Sequence, residues 1–129
     1  MSINLQSQTT LVPLSARWDD AAQQWVFGNG DSRDAAVSDD GRVVAWVSDA
    51  TNLVPGDDFG TDILLRVLGT RDNVLLAPGA DGDHTHPIFL PGAGGAVLFS
   101  STSKNLVAAQ PTTDDKPDLF IATYAIDAF

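Results

Sequence analysis

Carboxylates are the most abundant groups in this sequence that could do chemistry, and they cluster. Asp57, Asp58 and Asp62 surround Gly60, and Asp114, Asp115 and Asp118 form a second group later in the chain. Several carboxylates around a glycine suit calcium, a hard cation that takes oxygen ligands from flexible loops. The spacing departs from the twelve-residue helix-loop-helix calcium loop. A solvated loop whose Asp side chains cap turns through bonds to the backbone is the competing reading. Asp81, Asp83, His84 and His86 offer a second cation site. An HxH pair on an extended strand sends both imidazoles to one face, and imidazole suits zinc or copper. No third strong ligand follows nearby, and an exposed turn accounts for the same residues.

Trp18, Trp25 and Phe27 fall in one short segment and could form a platform for a sugar ring or a peptide. Packing against a neighbouring element explains them equally, because aromatics bury much area while keeping polar tips near solvent. Asn52 and Asn105 each stand just before Leu-Val. An Asn at such a point bonds nearby backbone groups to hold a bend, with ligand binding as the alternative. Ser100 and Ser101 read as strand residues rather than nucleophiles. The sequence has no GxSxG elbow, no HExxH and no phosphate-cradling glycine loop. With 2 His and no Cys, catalysis would fall to carboxylates that nothing pairs at a defined geometry, so a non-enzymatic protein is expected.

The elements that must position these residues are strands. The chain has 129 residues, 43% hydrophobic, with 11 Gly, 7 Pro and 19% charged residues, which suits a turn-rich β protein of one domain. With 17 acidic against 7 basic residues the formal charge is −10, so a phosphate backbone would be repelled. Nucleic acid and anionic membrane surfaces are therefore not expected partners. No apolar run reaches the roughly 18 residues of a membrane span. The absence of cysteine removes disulfides and thiolate metal sites and leaves the redox compartment open. Met1 to Thr10 lacks the basic and apolar regions of a secretory signal, so none is expected in the chain as written, and the compartment is not assigned.

Ser38 to Arg66 organises the rest. It reads as a turn (Asp39, Asp40, Gly41), an apolar strand (42–48), a polar bend (49–60) and a second apolar strand (61–67). A degraded copy runs from Pro91 to Ala122. Asn52 falls on Asn105, Leu53 on Leu106, Val54 on Val107, Ser48 on Ser101 and Trp46 on Phe99, an offset of 53 residues. Self-similarity at that period fits a four-stranded propeller blade. The nearly all-apolar run 43–47 implies burial on both faces, as a strand stacked between blades requires. Further strands are expected at 34–37, 74–77, 86–90, 96–101 and 119–124. Arg17 to Gly28 reads as a hairpin, or alternatively as a short helical turn, before the Asn29-Gly30-Asp31 turn. The first strand is expected over 6–16. Its part Thr9 to Ala16 aligns with Asp72 to Ala80, so the chain opens with the strand type that its end lacks.

The residues Ser38, Asp40, Gly41, Arg42, Ser48, Asn52, Leu53, Val54, Pro55, Gly56, Asp57 and Asp62 resemble the repeat of the TolB-like bacterial β-propellers. The second copy keeps Gly94, Ser101, Asn105, Leu106, Val107 and Asp118 but lacks the Asp-Gly-Arg turn and the Pro-Gly-Asp bend. The resemblance implies an all-β chain of two four-stranded β-propeller blades forming one unit over 1–129. Repeat 1 spans about 32–80, repeat 2 about 84–125, and the strand at 6–16 closes the last blade. That family closes four to eight blades, so two would leave apolar flanks that self-association covers. Three copies would give six blades and four would give eight, and the trimer is the preferred expectation. A fragment of a longer propeller, completed by another chain, is the alternative. The function expected is a binding or scaffold module built as a homo-oligomeric ring, with a protein or glycan as ligand. A lectin-like ring using Trp18, Trp25 or calcium in the acidic loops is the second reading.

Overall fold

The computed structural model describes residues 11–55, 60–78, 81–91, 95–106 and 116–125. The described chain is all-β, with nine strands in antiparallel sheets and no helix. A hairpin comes first, with β1 (Ala16–Asp19) paired to β2 (Gln24–Phe27). Its turn forms where Asp19 Oδ1 accepts the Ala22 N–H and Gln23 takes φ 52°. The hairpin expected over 17–28 is therefore present, and the helical alternative is not.

Of the strand expected over 6–16, residues 6–10 lie outside the described residues and 11–15 form no strand. The physical reason is competition for the backbone. The carbonyls of Pro13, Leu14 and Ala16 accept hydrogen bonds from the Arg66 side chain, and no described strand pairs with this segment.

Two meandering sheets follow. The first has the order β3 (Ser32–Val37), β4 (Val43–Ser48), β5 (Asp62–Val67), β6 (Val74–Leu75). The second has β7 (His84–Phe89), β8 (Ala96–Ser101), β9 (Asp118–Thr123). Every residue of β4 is buried, as its unbroken apolar run requires.

The two sheets repeat each other in detail. Ser32 pairs with Ser48 as His84 pairs with Ser101, and Ser48 pairs with Asp62 as Ser101 pairs with Asp118. Each edge strand carries a bulge at the same place, between Arg33 and Ala36 and between Thr85 and Ile88. Asp34 (φ 55°) and His86 (φ 57°) occupy equivalent left-handed positions in these bulges. The tight turn of the first repeat forms as its sequence implies. Ser38 Oγ accepts the Val43 N–H, Asp40 accepts the Arg42 N–H, and Gly41 sits at φ 73°.

Alternation along the strands gives each sheet two apolar flanks. One flank of the first sheet, with Val43, Ala45, Val47, Ile63 and Leu65, packs against Val97, Phe99, Phe89 and Phe120 of the second. The opposite flank, with Val44, Trp46 and Leu64, is covered by Leu14, Ala50, Leu53 and Leu75. The His84 N–H donates to the Thr61 carbonyl and the Thr61 N–H to Asp83 Oδ1, joining the two sheets at one end.

Gly30 and Gly82 sit at matching points where the turn before each sheet crosses the chain that leaves its second strand. A Cβ on Gly30 would lie 2.7 Å from the Asp49 carbonyl carbon, and one on Gly82 2.6 Å from the Ser103 nitrogen. Backbone cannot yield as a flexible side chain can. Gly30→Ala is expected to lower stability by about 2–3 kcal/mol, a typical cost of overpacking. Gly41→Ala, which meets nothing within 4 Å but keeps a positive φ, should cost only about 1 kcal/mol. Urea unfolding of the two variants checks the difference.

Candidate functional site

Of the acidic groups, Asp57, Asp58, Asp114 and Asp115 lie outside the described residues. Asp62 and Asp118 begin β5 and β9 at equivalent positions, opposite Ser48 and Ser101. Among the described residues no group of three or more His, Asp or Glu is placed to hold a metal ion.

The second candidate cluster is taken apart by the bulge in β7. A regular strand would send His84 and His86 to one face, but the left-handed turn at His86 separates them. His84 is fully buried, whereas His86 is exposed with Nδ1 2.9 Å from Thr85 Oγ1. Asp81 and Asp83 are engaged with backbone: Asp81 Oδ1 accepts the Lys104 N–H and Asp83 Oδ1 the Thr61 N–H.

His84 is the buried titratable group between the sheets. Ser101 Oγ accepts the Ser103 N–H, so its own proton is free to go to His84 Nδ1, 2.8 Å away. This arrangement favours the tautomer with the proton on Nε2. The ring meets Phe99 edge-on at 5.4 Å. Burial pushes the His84 pKa below its usual value, with nearby Asp83 opposing the shift. The folded protein thus prefers neutral His84, and its contribution to stability is complete above the unfolded pKa of about 6.5. It is lost as the pH falls from there through the lower folded value. One proton gives a slope of at most about 1.4 kcal/mol per pH unit. Asp40 and Asp49 are held below the usual carboxylate range, Asp40 chiefly by the Ser38 hydroxyl and Asp49 chiefly by the Arg33 guanidinium. Their contributions are lost only in more acidic solution. Melting temperature followed against pH should therefore fall below about pH 6.5, and His84→Gln should flatten that limb while leaving the more acidic one.

Asn52 and Asn105 form equivalent clasps. Asn52 Oδ1 accepts the Asn29 N–H at 2.9 Å, and Asn105 Oδ1 accepts the Asp81 N–H at 3.0 Å. Asn29 Oδ1 in turn accepts from the Thr51 N–H as Asp81 Oδ1 accepts from the Lys104 N–H. Asn52 also donates to the Phe27 carbonyl. These bonds tie the chain entering each sheet to the bend leaving its second strand.

Trp18 and Trp25 meet edge to face at 5.4 Å, and both are engaged by cations. The Arg71 guanidinium stands 3.7 Å over the Trp18 ring and Arg66 4.7 Å over Trp25. Phe27 is exposed. Arg66 was not singled out by the sequence, although it is the one cation in the apolar run DILLRV. It is 2% exposed and faces no carboxylate within ion-pair distance among the described residues. Its fork donates to the carbonyls of Pro13, Leu14 and Ala16 at 2.7 Å each and to Asn73 Oδ1 at 2.8 Å. Desolvation lowers its pKa, a cost that this cage of acceptors and the ring of Trp46 offset.

The most distinctive surface is the outward flank of the second sheet. Ile88, Leu98 and Ile121 lie side by side across its three strands, with Leu119 beside Ser100. Ile88 is 56%, Ile121 60% and Leu119 72% exposed. The same flank of the first sheet is buried. Nothing described pairs with the outer edge of β9, where the first sheet has β6 against β5. Two cavities are lined by described residues. One of about 220 Å³ is lined by Leu14, Ser15, Ser32, Arg33, Asp34, Ala35 and Trp46. A polar one of about 360 Å³ is lined by Asp81, Gly82, Thr102 and Lys104. The fold and this surface define an all-β repeat protein with one open flank. Comparison with known protein families, curated proteins and solved structures finds no match.

Proposed function

We propose that the two sheets are successive blades of a TolB-like β-propeller. In this reading the chain associates with copies of itself to complete a ring that serves as a non-enzymatic binding or scaffold module. The observation that carries it is the contrast between equivalent flanks. The first sheet hides this flank under the second, while the second leaves Ile88, Leu119 and Ile121 in solvent and has no described strand beyond β9. Fully burying an aliphatic side chain of this size is worth about 1.5–3 kcal/mol, so the open flank favours a partner. An uncovered edge strand adds unpaired backbone groups to that drive. The partner that fits is another copy, because flank and edge repeat what the first sheet already offers the second. Contacts of this head-to-tail kind close into rings when the rotation permits, and three copies give six blades. The charge of −10 opposes association, so added salt should strengthen it.

Native mass spectrometry at micromolar concentration is expected to give a mass three times 13.6 kDa, with Ile121→Lys shifting the protein to single chains. A single-chain mass at every concentration and salt overturns the proposal.

A further inference from the structure

We infer that the N-terminal segment 11–16 is a strap with two alternative homes. In the single chain Arg66 clasps it across the flank of the first sheet, and in the assembled protein it pairs with the open edge of β9 in a second copy. The inference rests on the assembly reading above and adds what controls it.

The strap is held unusually. Between Leu11 and Ser15 it joins no ladder, and Leu11 and Val12 are 88% and 69% exposed. The bonds that tie its backbone to the first sheet come from two polar side chains, Arg66 and Asn73, with Asn73 Nδ2 donating to the Ala16 carbonyl at 2.8 Å. The seal it makes is incomplete. Leu14 packs on the flank of Val44, Trp46 and Leu64, yet the cavity of about 220 Å³ remains beside Trp46. Trp46 Nε1 is buried there without a partner among the described residues.

The second home is built from the repeat. Among the described residues β9 has no counterpart of the neighbour that β6 gives β5, and Thr9 to Ala16 is the segment that aligns with Asp72 to Ala80 around β6. Releasing the strap therefore does two things together. It supplies the strand that a second copy's sheet needs, and it takes Leu14 off Val44, Trp46 and Leu64, leaving Ala50, Leu53 and Leu75 beside them. Their counterparts in the second sheet, Val97, Phe99 and Phe120, already pack on a flank of the kind that β7, β8 and β9 leave open. The strap thus competes with assembly, and the clasp sets the concentration at which assembly begins.

Hydrogen exchange on the wild-type protein across a dilution series that spans assembly tests this. The Ala16 and Gly28 amides bond to the Leu14 and Ser15 carbonyls in the clasped form. They should lose protection in the assembled fraction while the β4 amides keep theirs. Arg66→Lys and Asn73→Ala leave the strap sequence intact and weaken the clasp. In a three-copy ring every copy releases its strap, so each tenfold loss of clasping should lower the half-assembly concentration by up to about thirtyfold. Assembly with Ala16 and Gly28 still protected, or variants that assemble no more readily than wild type, overturns the strap alone. A wild-type protein that stays a single chain throughout overturns the assembly reading and the strap with it.

Discussion

A sheet that is apolar on both flanks needs a neighbour on each side, and that constraint governs this molecule. β4 is the clearest case, since all six of its residues are buried. Its odd-numbered side chains are covered by the second sheet and its even-numbered ones by the N-terminal segment and the loop after the strand. The second sheet has the same construction but, among the described residues, only one neighbour. The hydrophobic drive that seats Val97 and Phe99 on the first sheet has no outlet for Ile88, Leu98 and Ile121 among the described residues.

Stacking alone would not fix how the sheets repeat. Register is set by short polar devices that recur at matching places: the Asn52 and Asn105 clasps, the Ser48 and Ser101 hydroxyls that accept the Ala50 and Ser103 amides, and the close chain crossings at Gly30 and Gly82. Each device satisfies backbone groups that the bend would otherwise strand. Arg66 departs from this economy. A buried guanidinium is costly, and it is tolerated because carbonyls from a segment some 50 residues away converge on it. The first flank is thus closed by a polar clasp and the second is left apolar, which gives the unit a direction.

Much of this was legible in the residues. The run VVAWVS announced a strand buried on both faces, and the recurrence of Asn before Leu-Val located two equivalent bends whose geometry the clasps now explain. The second sheet could be read through a degraded copy because side-chain pattern, rather than the Asp-Gly-Arg turn, carries strand pairing. What escaped is what depends on distant partners. Residues 11–15 carry strand-like letters, but carbonyls drawn to Arg66 leave them out of a ladder. The bulges at Asp34 and His86 carry no glycine to flag them, and so the HxH pair looked like a shared face. Nothing local reveals that Arg66 and Arg71 lie over the Trp25 and Trp18 rings. The acidic bends lie mostly outside the described residues, and only Asp62 and Asp118 could be placed.

The central claim is that a second copy stands to the second sheet as the second sheet stands to the first. A high-resolution crystal structure of the associated protein tests it most directly. The rotation and translation that carry the first sheet onto the second within a chain should also carry the second sheet onto the first sheet of the adjoining copy. Ile88, Leu98 and Ile121 would then be buried against Val44, Trp46 and Leu64. Flanks left in solvent, or apposed to the same flank of another copy about a two-fold axis, would contradict it.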